Sequence, residues 1–210
     1  MTYPTLDFER SLLDDSLAII GIDEVGRGAL AGPVGVGAFL LTPDLLDSQP
    51  ETVRDSKLIA EAKRMEAADE VRAWGVSAIG LSDVSVIEEK GINFALRHAA
   101  LQALDKLKFE DAIVLLDGSH NWLGDVGMRV VVKTKADRDC GSVAAASIVA
   151  KVERDAIMTE LAKDFPEYGW DSNKGYSSPS HVAAIQSLGP SPHHRTSWLE
   201  KILSEDLGLF

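Results

Sequence analysis

The stretch Ile19-Ile20-Gly21-Ile22-Asp23-Glu24-Val25-Gly26-Arg27-Gly28-Ala29-Leu30-Ala31-Gly32-Pro33-Val34 decides how this chain is read. It grows out of an apolar, β-branched run of strand length, Leu17 to Ile22. Two adjacent acids, Asp23 and Glu24, close that run. Carboxylates buried without a partner are costly, and a divalent cation is a usual partner for them. Gly26 and Gly28 remove two Cβ atoms beside the acids, which leaves room for another backbone. Arg27, between them, offers a fork suited to phosphate. Metal ligands beside a phosphate clamp point to phosphoryl-transfer chemistry. On these residues alone, an ordinary hairpin with solvated acids is an equal reading. A nucleotide-phosphate loop fits less well, because no lysine–serine or lysine–threonine pair follows the glycines.

The length of 210 residues suits one domain, or one domain with a small appendage, and is enough for a sizeable core. Met1 opens no charged-then-apolar leader and no apolar run is long enough to span a bilayer, so a soluble, cytoplasmic protein with no membrane partner is expected. The single cysteine, Cys140, excludes an internal disulfide and a multi-cysteine zinc site, and reads as a small packed residue. A net charge of −12 argues against a broadly basic nucleic-acid-binding surface. A local patch of Arg and Lys remains able to hold a nucleic-acid backbone in a salt-sensitive way. An acidic cluster that coordinates metal adds to the negative total without repelling a substrate.

Residues 1–16 read as a polar lead-in, residues 34–41 as a second strand and residues 43–50 as a loop. Arg54-Asp55-Ser56-Lys57-Leu58 leads into a helix to about Arg72; Asp55 or Ser56 caps it, or Lys57 meets a phosphate. Residues 76–81 read as a third strand and 82–90 as a short helix. Ile92, Leu96, Ala99, Ala103 and Leu107 recur at helical spacing, which predicts a helix over 92–107. The continuous apolar run 112–116 is that of a buried central strand, and it ends in Asp117-Gly118. It repeats the first pattern, so two such strands side by side would bring Asp23 and Asp117 together at their C-terminal ends, where ligands of α/β sheets collect. An Asp-Gly turn is the alternative.

Residues 128–132 read as another strand, and a long helix follows over roughly 143–164, its small residues 144–147 permitting close packing on the sheet. Asp137 falls near the positive end of that helix. Lys151 and Arg154 are read as a solvated face. In the loop 168–179, Tyr168 and Trp170 are expected to pack inward, while Lys174 and Tyr176 are candidates for phosphate and sugar. Further helices are expected from about Ser180 and about Ser197. Arg195 offers a guanidinium to a phosphate or carboxylate, and the adjacent His193 and His194 make a poor metal pair.

Taken together, Gly21-Ile22-Asp23-Glu24-Val25-Gly26-Arg27-Gly28, Asp55-Ser56-Lys57, Leu116-Asp117-Gly118, Lys135-Ala136-Asp137, Ala145-Ala146-Ser147-Ile148-Val149-Ala150-Lys151-Val152 and Asn173-Lys174-Gly175-Tyr176, followed by His181 and His194-Arg195, resemble the type 2 ribonucleases H, specifically bacterial ribonuclease HII. The ordered set runs from about Ile20 to Trp198. The resemblance implies an α/β, ribonuclease H-like fold: a mixed five-strand sheet flanked by helices, with a short C-terminal helical extension. In domain terms it implies a lead-in at 1–16, a catalytic core at 17–165, and substrate-binding loop and helices at 166–210 of the same domain.

The resemblance also implies a site of four carboxylates, Asp23, Glu24, Asp117 and Asp137, holding two divalent ions, Mg²⁺ or Mn²⁺, about 4 Å apart. Hydrolysis would leave a 5′-phosphate and a 3′-hydroxyl. Gly26, Arg27 and Gly28 would recognise the ribose 2′-hydroxyl, which separates RNA from DNA. Tyr176 would stack under the sugar, and Ser56, Lys57 and Lys174 would line the substrate, the two lysines on phosphates. Such a site would cut 5′ to a single ribonucleotide in duplex DNA and within RNA–DNA hybrids. Two departures stand out: Arg138-Asp139 where many relatives carry Ala-Lys, and Ser177-Ser178 where Gly-Thr is common. The tail Asp206-Leu207-Gly208-Leu209-Phe210 resembles short peptides that bind the replication sliding clamp, against the alternative that it packs on its own helices. The protein is expected to be a monomer. Two competing classes are a four-carboxylate exonuclease on the same fold, which leaves the Gly-Arg-Gly and Lys-Gly-Tyr motifs without a purpose, and a non-catalytic hybrid binder, which has no need of four acids.

Overall fold

The computed structural model describes residues 3–13 and 18–204. Leu17, where the first strand was expected to begin, and the tail 206–210 lie outside the described residues. Among the described residues, five strands form one sheet: β1 (Ile19–Val25), β2 (Val34–Leu41), β3 (Val76–Ser82), β4 (Ile113–Asp117) and β5 (Arg129–Lys133), in the order β3-β2-β1-β4-β5. β2 runs antiparallel to both of its neighbours, β1 and β3. β4 runs parallel to β1, and β5 parallel to β4. This is the mixed sheet expected, and it explains why 19–22 and 113–116 read as continuous apolar runs: both strands are interior and covered on both faces.

The helices in chain order are α1 (Asp7–Leu12), α2 (Glu61–Trp74), α3 (Val84–Lys90), α4 (Ile92–Leu107), α5 (Ala136–Asp139), α6 (Gly141–Asp164), α7 (Trp170–Asn173), α8 (Pro179–Leu188) and α9 (Glu200–Ser204). Strand alternation sorts the core into two layers. Ile19, Ile113 and Leu115 pack with Val143, Ala144 and Ile148 of α6, while Ile20, Ile22, Val114 and Leu116 pack with Leu96, Ala99 and Ala103 of α4. The small residues at the head of α6 do bring it close to the sheet. A Cβ on Gly21 would lie 2.4 Å from the Ser142 carbonyl carbon, and one on Gly37 would lie 2.2 Å from the Ala146 oxygen. A third cluster, including Leu30, Met158, Tyr168, Trp170 and Ile185, ties the C-terminal segment to the far end of α6. Tyr168 and Trp170 are buried there as expected.

The polar lead-in is corrected. Residues 7–12 form α1, and Glu9 within it is fully buried. Its carboxylate accepts hydrogen bonds from the Ser142 amide (2.9 Å) and hydroxyl (2.8 Å), so it caps the start of α6 from a distant part of the chain. The Ser142 pair opposes, without cancelling, the rise in the Glu9 pKa that burial causes. Asp137 sits on the separate single-turn α5, just ahead of the start of α6. Among the described residues no helix is long and apolar enough to cross a membrane.

Candidate active site

The register of two parallel strands builds the centre of the site. Ile22 pairs with Leu116, so Asp23 and Asp117, each one residue further on, stand side by side on the face covered by α6. Glu24 follows at the end of β1. Asp137 arrives from α5, which is held against β4: the Asp117 carboxylate accepts the Ala136 amide at 2.7 Å and the Asp137 amide as well. Lys135, in the left-handed region at φ 61°, turns the chain from β5 into α5.

The electrostatics show how close these acids lie. Burial, then repulsion from Glu24, Asp137 and Asp117, holds the Asp23 carboxyl well above the usual carboxylate range. Burial also raises Glu24, against the pull of Arg27, whose guanidinium is 3.5 Å away. Burial and Asp137 raise Asp117. Burial works against the charge of Lys57, but Asp137 (3.3 Å from Nζ), Asp23 and Asp55 outweigh it and the ammonium pKa rises. The cluster is therefore short of positive charge. Among the described residues, no three His, Cys, Asp or Glu side chains are drawn together closely enough to hold a metal ion as they stand. The donor set is nevertheless that of a hard cation, all carboxylate oxygen, and the upward shifts of Asp23, Glu24 and Asp117 are what such a cation would relieve. On donor chemistry the residues fit a divalent ion.

A cleft of about 370 Å³ opens over Asp23 and Glu24; Asp117 and Asp137 stand beside it and do not line it. Asp23, Glu24, Gly26, Arg27, Gly28, Ser56, Lys57 and Tyr176 line it, together with Ser147 and Lys151, two residues the sequence reading did not single out for the site. The Ser147 hydroxyl donates to Asp23 and stands 2.8 Å from the Ser56 hydroxyl. Ser56 is thus buried behind Asp23, with its hydroxyl on Ser147. Lys151 is held by Asp155 at 2.6 Å, and burial lowers its pKa. The Gly26 amide donates to the Tyr176 hydroxyl at 3.2 Å, which joins the glycine loop to the loop after α7. Of the two glycines that flank Arg27, Gly28 leaves open space where a Cβ would stand; at Gly26 that space is filled by Arg154.

Lys174 is not brought into this cleft. Its buried ammonium contacts the Asp171 carbonyl, Thr159 Oγ1 at 3.3 Å and Glu61 at 3.1 Å. Arg154 and Arg195 are corrected more strongly. Arg154, read as solvated, is fully buried and donates to the carbonyls of Ala31, Pro33 and Lys174. Arg195, read as a partner for phosphate or carboxylate, is also buried and donates to the carbonyls of Gly26, Arg27 and Gly32. Helical periodicity assigns a charged residue such as Arg154 to the solvent face, and Arg195 lies in a connecting segment with no periodicity to place it, so nothing local in the sequence marks either arginine as buried.

Comparison with known proteins agrees with this architecture. A sequence model described as Ribonuclease HII matches residues 20–201. A ribonuclease HII from Streptomyces coelicolor is 45% identical over 198 residues, covering 93% of this chain and 83% of that protein. One from Roseobacter denitrificans is 40% identical over 180 residues, covering 86% and 89%. Among solved structures, the RNase HII of a PCNA:RNase HII complex from Archaeoglobus fulgidus superposes with a TM-score of 0.72 at 29% identity, covering 87% of this chain and 95% of that one. The ribonuclease H2 of Pyrococcus horikoshii shares the fold, with a TM-score of 0.75 over 91% of this chain and 100% of its own. With the family model satisfied from residue 20 to residue 201 and identity of 45% held across 93% of its length, this chain belongs to the ribonuclease HII family.

Proposed function

We propose that this protein cuts duplex DNA on the 5′ side of a single embedded ribonucleotide, leaving 5′-phosphate and 3′-hydroxyl ends, with two Mg²⁺ or Mn²⁺ ions held by Asp23, Glu24, Asp117 and Asp137. Family membership makes it a metal-dependent ribonuclease H, an endoribonuclease of RNA–DNA hybrids; the proposal narrows the substrate and the bond. One observation carries it: Asp23 and Glu24, two of the cation-deficient acids, share a cleft with the Gly26-Arg27-Gly28 loop and Tyr176. Bound ions supply the positive charge that a phosphodiester needs before hydroxide attacks it and its 3′-oxygen departs. The chain's own residues then place the bond. Gly26, Arg27 and Gly28 meet the ribose 2′-hydroxyl, Tyr176 stacks on the adjoining sugar, and Arg27 and Lys57 meet phosphates. Ser56 acts through Ser147 to orient Asp23. A phosphate contact by Lys174 would replace its pairing with the exposed Glu61. In this reading the protein works as a cytoplasmic monomer. The segment 206–210 docks on a replication sliding clamp, a reading supported by a relative solved with PCNA; equal clamp retention by the full chain and by one ending at Glu205 would remove it.

The deciding experiment is cleavage of a labelled duplex containing one ribonucleotide, with Mg²⁺ or Mn²⁺, beside an all-DNA control and Asp23→Asn. Loss of groups that merely orient a metal ligand costs about 10–100-fold, so loss of the ligand itself should cost more than about 100-fold. A 5′ cut absent from the control and from the variant is expected. No cut by folded protein that still binds hybrid would favour a binding module. Trimming from 3′ ends would favour an exonuclease.

A further inference from the structure

Arg154 on α6 and Arg195 ahead of the Thr196–Trp198 turn are both fully buried, and they converge on the carbonyls of two consecutive residues, Ala31 and Gly32. Burial first, and then the charge of Arg154, lowers the pKa of Arg195 to about 10. Two guanidinium groups buried side by side are expensive to maintain. Both spend their donors on the backbone. Arg195 reaches the carbonyls of Gly26 (2.7 Å), Arg27 (2.9 Å) and Gly32 (3.0 Å). Arg154 reaches those of Ala31 (3.0 Å), Pro33 (2.9 Å) and Lys174 (2.9 Å), and its guanidinium carbon stands 5.4 Å from the centre of the Tyr176 ring. Gly26, at φ 76°, has no side chain to spare: a Cβ there would sit 2.0 Å from Arg154 Nε. The amides of Leu30 and Ala31 donate to the Gly175 carbonyl, which completes the tie between the two loops.

We infer that Arg154 and Arg195 are positioning residues that lock the Gly26-Arg27-Gly28 loop and Tyr176 into one rigid unit and so set the preference for a ribonucleotide over a deoxyribonucleotide. The inference rests on the reading that this loop and Tyr176 meet the substrate sugar. A trans peptide is planar, so a carbonyl turned inward turns the following N–H outward. With the Gly26 and Arg27 carbonyls held by Arg195, the amides of Arg27 and Gly28 point the opposite way, as donors of fixed direction. Arg154 fixes the same loop further along and carries the Tyr176 segment with it. A planar fork can hold three carbonyls in one geometry, and a lysine ammonium cannot.

The test uses the full chain and two duplexes differing only in one ribonucleotide. Binding is read by fluorescence anisotropy with Ca²⁺ as the probe cation, and cleavage kinetics with Mg²⁺. Arg154→Lys and Arg195→Lys retain the charge. Gly175→Ala is a third variant that keeps both arginines: its Cβ would lie 2.5 Å from the Ala31 carbonyl oxygen, an acceptor of Arg154, and force the loops apart. Each variant is expected to lower the ribonucleotide preference by about 10–100-fold, as small misplacements of reacting groups do, with KM rising more than kcat falls and all-DNA affinity unchanged. A purely structural role would lower the melting temperature and leave the preference of folded molecules intact; a folded variant with wild-type preference overturns the inference. If the lysine variants do not fold, Gly175→Ala decides it by the same criterion. A wild-type protein without any ribonucleotide preference removes the reading of the loop as the sugar reader, and this inference with it.

Discussion

Asp23 stands among three other carboxylates and is steadied by one hydroxyl, that of Ser147. That hydroxyl opposes the burial and repulsion that push the Asp23 pKa up, so it keeps the carboxylate available as an anion. Ser147→Ala removes the donor and leaves the Ser56 hydroxyl without its 2.8 Å partner. We predict a loss of Mg²⁺ or Mn²⁺ affinity of about 10–100-fold, the range for groups that orient a metal ligand. Isothermal titration calorimetry of the metal alone measures it, and unchanged affinity in a folded variant would contradict the role given to Ser147. Asp23, Glu24 and Asp117 were legible in the sequence because two apolar strands lead into them; Asp137, on a helical turn, was named only by the family resemblance. Ser147 was not, because a serine in an alanine-rich helix head looks like any other small packing residue.

At the scale of elements, the approach of α6 to the sheet sets the site's geometry. The helix lies so close to β1 and β2 that its backbone occupies the volume a side chain at Gly21 or Gly37 would need. Gly21→Ala would place a Cβ 2.4 Å from the Ser142 carbonyl carbon, a clash with backbone that no rotamer relieves. We predict a loss of about 1–3 kcal/mol, typical of overpacking, seen as a lower urea midpoint with an unchanged slope. A midpoint within error of wild type would show that α6 sits further from the sheet. The bounds of β2 and α4 were readable to the residue, since one alternates within a sheet and the other keeps a strict helical stripe. α1 was not readable. Six residues carrying Asp7, Glu9 and Arg10 look solvated, and only the start of α6, far along the chain, gives Glu9 a reason to be buried.

On the scale of the molecule, a hydrogen-bonded histidine pair holds the C-terminal segment together. The Ser191 amide donates to His194 Nδ1 and the Trp170 indole donates to His181 Nε2. That leaves His194 Nε2–H to donate to His181 Nε2 at 3.1 Å, and His181 Nδ1–H to the Tyr176 carbonyl at 2.8 Å. Both rings are neutral in this scheme. Burial lowers both pKa values, and for His194 burial and the nearby His181 bring it to about 4. A depressed folded pKa means the unfolded chain binds the proton more readily. The stabilising contribution is therefore present above about pH 6.5 and is lost as pH falls towards about 4, on the order of 3 kcal/mol for His194. The raised acids, Asp23, Glu24 and Asp117, act in the opposite sense on acidification, so a melting curve blends the two. NMR of the His194 ring separates them: a midpoint near 4 is expected, and one near 6.5 would contradict the buried neutral pair. Local signals determined the strands, the long helices and the acids at two strand ends, because periodicity and burial cost act within a few residues. Only the tertiary structure decided that Ser147 would meet Asp23, that Glu9 would cap α6, and that Arg154 and Arg195 would grip the glycine loop, because each is a contact between segments far apart in sequence whose desolvation is repaid only after they have met.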